Sequence, residues 1–104
     1  MRIFYLRKPV FHAQQAVEKA LKAVLLFKRI EFPFTHDIEE LLEIAQQGGL
    51  TLSSGVNEAG ILTPYAVEAR YPGQVEEISF SDVEEAIRIA EDVLKWVQEI
   101  IRTS

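Results

Sequence analysis

The 104-residue chain contains no cysteine, which excludes disulfides, thiolate metal sites and thiol catalysis. No apolar run approaches the ~20 residues of a membrane span. Met1 to Lys8 carries basic residues around only a short apolar run, Ile3 to Leu6, too little for a signal peptide. No G-x-x-x-x-G-K-[ST] loop is present, so a P-loop nucleotide site is ruled out. The acids form no recognisable metal set, and Glu39, Glu40 and Glu43 read as the solvent face of a helix. With two histidines, His12 and His36, few acid–base mechanisms are open. A cytoplasmic location and no cofactor are the default expectations.

What remains is a globular composition, 48% hydrophobic and 26% charged, of a size that supports one domain over residues 1–104. The net charge of −5 is unevenly spread. Residues 1–29 hold seven Lys or Arg (Arg2, Arg7, Lys8, Lys19, Lys22, Lys28, Arg29) against one acid, Glu18. The rest holds four basic groups against fifteen acids. One element is therefore a cationic strip on an acidic body, suited to an anion or to acidic helices of this chain or a second copy.

The apolar spacing predicts four helical segments and no strand. The first runs from after Pro9 to about Arg29, with Ala13, Ala16, Val17, Ala20, Val24 and Phe27 on its buried face. Thr35 is the expected N-cap of a second helix whose buried face is Ile38, Leu41, Leu42 and Ala45, stopped by Gln47-Gly48-Gly49. Residues 50–62 give a turn and then a short helix or a loop. Thr63-Pro64 starts a short helix that ends at Tyr71-Pro72-Gly73. Ser81 and Glu84 suggest a capping box for the last helix, with Val83, Ala86, Ile87, Ala90, Leu94, Val97 and Ile101 as its apolar face. The expected fold is all-α, an up-and-down bundle of four to five helices with two long antiparallel ones.

The first helix carries more than packing. With His12 at 0° and 100° per residue, Gln15, Lys19 and Lys22 fall at about −60°, −20° and −80°, in one sector. Gln15 offers an amide to a base or sugar, and Lys19 and Lys22 offer charge to phosphate. Arg70 and Tyr71, at a Pro-Gly turn, offer a guanidinium and a stacking ring. Arg29 and His36 supply the residue types of an RNA-cleaving pair, the His moving protons and the Arg stabilising a pentavalent phosphate. They straddle Pro33, and nothing local holds them together. His12, a lone helical histidine, reads most simply as structural.

Taken together, F-H-A-Q-Q-A-V-E-K-A-L-K-A-V-L at 11–25, T-H-D-I at 35–38, E-A-R-Y-P at 68–72 and the amphipathic helix 82–102 resemble the HEPN family. These are small all-α domains associated with nucleotide binding. The resemblance implies a homodimer and, as in many prokaryotic members, a minimal nucleotidyltransferase partner in a system sometimes of toxin–antitoxin type. It implies a ligand face of Gln15, Glu18, Lys19, Lys22, His36, Arg70 and Tyr71, with a nucleotide or polyphosphate as ligand and RNA as the less favoured one. Ribonuclease members carry an Arg, four to six residues and a His late in the domain. Here Arg70 and Arg88 have no histidine after them, so a nuclease would have to use Arg29 and His36, and none is expected. Members also commonly carry a further helical stretch before the F-H-A-Q-Q segment, where this chain has only Met1 to Pro9. The missing packing partner would leave apolar surface on the first helix for a second copy to cover.

Overall fold

Residues 2–65 and 78–103 are described by a computed structural model, all-α as expected, with no strand among them. Helix α1 spans Arg2–Phe27, α2 Ile38–Gln47, α3 Ser54–Asn57 and α4 Phe80–Thr103; a 3-10 segment, Glu58–Tyr65, follows α3. Among these residues no helix is long and apolar enough to cross a membrane. Pro9 lies inside α1 and does not start it. The ring removes one backbone donor, yet its fixed φ is helical, so the helix passes through. Residues 2–8 therefore prolong α1.

The helix ends correct the sequence reading by a residue or two. Asp37 caps α2, its carboxylate accepting from the Glu39 and Glu40 amides at 3.0 and 3.4 Å. Thr35 instead accepts from the Asp37 amide at 3.0 Å. The capping box of α4 is Ser79 with Asp82, each side chain accepting from the other's amide at 3.0–3.1 Å, in place of Ser81 with Glu84. Both α1 and α2 end in a paired 6→1 and 5→2 hydrogen-bond turn. Gly49 takes the left-handed position after α2, at φ +100°, but after α1 that position falls to Arg29, at φ +59°. A side chain there costs about 1 kcal/mol.

The two long helices run parallel, which corrects the antiparallel expectation. Gly48, just beyond α2, lies against Ile30, just beyond α1. From there the chain descends along α4. The Trp96 indole donates to the Thr51 carbonyl at 2.9 Å, Gly55 meets Asp92, and Glu58 pairs with Arg88. Ile61 and Leu62 then share a small cavity with Asp82, Ala86 and Val10 of α1. Ala86 thus lies level with the first half of α1 and Trp96 level with its second half. The connection 28–37 also returns downward, because His36 reaches Glu18 in mid-α1 and α2 then rises toward Ile30. Helices α1, α2 and α4 all point one way, and the extended or 3-10 segments carry the chain back.

The core lies between α1 and α4, the most extensively packed pair, and is closed by α2 and the 3-10 segment. Val17, Leu21, Val24, Leu25, Ile38, Leu41, Ala45, Val56, Ile89 and Val93 are completely buried within it. Truncating Leu21 or Leu41 to alanine would cost about 2–5 kcal/mol. The buried face of α2 is the expected one. That of α4 is not: Ile89 and Val93 are in the core, whereas Ile87, Leu94 and Ile101 stand exposed. On α1, Phe27 is likewise exposed.

Candidate functional site

Residues 14, 18 and 22 follow one another at four-residue steps, a row inclined across the helix surface. On α1 this row crosses from the core to the solvent. Gln14 is fully buried, Glu18 nearly so, and Lys22 partly exposed. A buried carboxylate needs donors, and Glu18 has them on both oxygens. Gln14 Nε2 donates to Oε1 at 3.1 Å. Lys22 Nζ at 2.9 Å and His36 Nδ1 at 2.8 Å both donate to Oε2. Behind them Gln15 Nε2 donates to Gln14 Oε1 at 2.7 Å, which fixes the orientation of the buried amide.

Burial pushes the Glu18 carboxyl upward, but the hydrogen bonds from Lys22, His36 and Gln14 outweigh it and hold the group below the ordinary glutamate range. Glu18 is thus ionised at neutral pH and can only accept, so the proton on His36 lies on Nδ1 and leaves Nε2 facing outward. Each residue of T-H-D-I has a separate task. Thr35 holds the Asp37 amide, His36 docks on Glu18 and Asp37 caps α2. Ile38 fills the core, while its amide donates to Thr63 Oγ1 at 3.0 Å. That contact ties the 3-10 segment to the α2 start; the short helix expected from Thr63 to the Tyr71-Pro72-Gly73 turn lies mostly outside the described residues.

Above the Glu18 knot lies a small open patch. The Phe34 ring is 89% exposed, the most exposed large apolar group among the described residues. His36 meets it edge-on, ring centroids 5.3 Å apart, and Lys22 Nζ is 5.6 Å from its centre. Lys19, one turn from Lys22 on the helix surface, is exposed. The patch offers ammonium groups, an imidazole nitrogen and a free aromatic face within one side-chain reach. That set can hold an anion beside a flat ring. No group of His, Asp and Glu able to hold a metal occurs among the described residues.

The expected ligand face is therefore divided. Lys22 and His36 converge, held there by Glu18, with Lys19 at the edge. Gln15 is turned inward to Gln14, and Glu18 serves its internal donors. Arg70 and Tyr71 lie outside the described residues. Arg29 and His36 are not brought together: Arg29 is past the end of α1, whereas His36 sits at Glu18, about 16 Å back along the axis. His12 is exposed, touches Phe11 edge-on at 5.4 Å and takes no part in the patch. Sequence reasoning missed Gln14, whose signal was the Gln-Glu-Lys row at steps of four, and Phe34, for which no local signal exists.

The family model described as the HEPN domain matches residues 5–100. No curated protein and no solved structure matches the chain.

Proposed function

Because the chain belongs to the HEPN domain family, whose members bind nucleotides or act on RNA, we propose that it is a non-catalytic module that binds a nucleotide or polyphosphate and works with a minimal nucleotidyltransferase. The carrying observation is the Glu18 knot, which fixes His36 and Lys22 around the exposed ring of Phe34. A base stacks on Phe34, and its phosphates lie toward Lys22 and Lys19. A nuclease reading has no comparable support, since Arg29 and His36 are held apart. The two-component pairing, of toxin–antitoxin type, rests on family resemblance and is tested by co-purification with a nucleotidyltransferase encoded beside this gene.

Calorimetric titration with ATP, GTP and their diphosphates, with and without Mg²⁺, tests the ligand. Binding is expected, and Phe34→Ala should weaken it about tenfold, the worth of one stacked base. Lys19→Ala and Lys22→Gln should weaken it and leave a shallower dependence on salt. An affinity unaltered by all three substitutions, or no binding at all, removes this reading.

A further inference from the structure

The one acid of α1, Glu18, is buried beneath Lys22 and His36. The outer face of that helix therefore carries cations with no exposed carboxylate among them. With Lys22 at 0° and 100° per residue, Gln15, Leu26 and Lys19 lie at about 20°, 40° and 60°, and His12 at about 80°. Lys19, and Arg29 at the end of the helix, have no ion-pair partner among the described residues. Two large apolar groups stand among these charges. Leu26, one turn beyond Lys22, is 68% exposed, and Phe34, beside the Lys22 ammonium, is 89% exposed. A nucleic acid would use the cations and the Phe34 ring but leave the Leu26 side chain, which neither stacks nor hydrogen-bonds, in water. Cations set around protruding apolar side chains match the boundary between lipid headgroups and acyl chains.

We infer that this face docks on a bilayer of anionic lipid, with α1 lying along the surface and not across it. Leu26 and Phe34 enter the headgroup boundary, while Lys19, Lys22 and Arg29 meet the lipid phosphates. The net charge of −5 does not oppose this, because the acids are placed elsewhere. Glu58, Glu85 and Asp92 surround Arg88 on the other long helix. Of the two acids in the 28–37 connection, Asp37 is turned to the α2 amides, and Glu31 is left exposed. The docking face shares Lys22 and Phe34 with the nucleotide patch, but Leu26 and Arg29 lie beyond that patch. The two readings can therefore fail separately.

Co-sedimentation of the full chain with lipid vesicles tests the docking. Vesicles of phosphatidylglycerol and phosphatidylcholine in equal parts should carry the protein down, and vesicles of phosphatidylcholine alone should not. Leu26→Ser should lower the partition constant about tenfold, the worth of one leucine removed from water. Lys19→Ala should lower it about fivefold, and salt should weaken what remains. Circular dichroism should meanwhile report unchanged helicity. The absence of cysteine allows one environment-sensitive dye to be placed at will. On Leu26→Cys its emission should shift to the blue with anionic vesicles. On Asn57→Cys, in the helix α3 that packs against α4, it should not. Leu26→Ser should leave any nucleotide affinity unaltered, which separates this inference from the nucleotide reading. Failure to bind anionic vesicles, binding that survives both Leu26→Ser and Lys19→Ala, or an equal blue shift at both dye positions would overturn the inference. Single-stranded RNA bound where vesicles are not would assign the face to nucleic acid instead.

Discussion

Glu18 and Arg88 each gather three partners, yet one is built into the domain and the other lies on it. Glu18 accepts from Gln14, Lys22 and His36 with its side chain only 6% exposed. Arg88 reaches Glu58 at 3.1 Å, Asp92 at 3.2 Å and Glu85 at 3.8 Å with its side chain 50% exposed. The number of partners is the same and the solvent is not. Water competes for every bond of Arg88, so losing one restores hydration. At Glu18 a lost bond leaves a polar group facing the core. Ion-pair inventories would rank the two alike, whereas burial separates them.

Removing the buried node should have the largest effect. Glu18→Ala leaves Gln14 without its acceptor in the core and should cost about 3 kcal/mol in urea unfolding at neutral pH. Its pH dependence has a definite sign. The native carboxyl titrates below its unfolded counterpart, so the folded state binds fewer protons through the interval between them. Its stabilisation is complete above the ordinary glutamate value of about 4.3 and is lost as pH falls through the lowered native value. Glu18→Gln should flatten that acid limb of the stability curve. An acid limb as steep as that of the wild type would show that other carboxylates carry it.

The local pattern made much of this molecule legible, because helices are local objects. The faces of α2 and the all-α class follow from spacing alone. The Glu18–His36 bond does not, because it joins residues 18 apart across a connection whose path has no periodic signature. Helix direction was misjudged for a related reason. Ten residues from 28 to 37 span up to about 33 Å when extended, enough either to turn tightly or to return along α1. Spacing cannot choose between these, and here anchoring by half-buried Ile30 and Phe32 selects the return. The apolar face of α4 was read too simply, because a stripe records what can be buried, not what buries it.

Removing single donors from the Glu18 knot should grade with exposure. Lys22 and His36 are 21% and 57% exposed, so Lys22→Met should cost more than His36→Ala, each about 1 kcal/mol or less. In the Glu18→Gln background both losses should shrink, since the charge that strengthened them has gone. A double-mutant cycle by urea unfolding measures the coupling. Costs that stay unchanged in that background would mean that these side chains act by packing alone.

The smallest effect belongs to Arg88, and it tests the comparison from its other end. Three acidic neighbours would lose their shared cation in Arg88→Ala, but all are at least a third exposed and remain hydrated. The unfolding midpoint should therefore stay within experimental error. Any loss seen at low salt should vanish at 1 M NaCl, where the Debye length is about 3 Å. Glu18→Ala should keep its full cost under the same salt, because its partners bond it where ions do not penetrate. A salt-resistant loss at Arg88 would mean that its aliphatic stem contributes as apolar surface and not as charge.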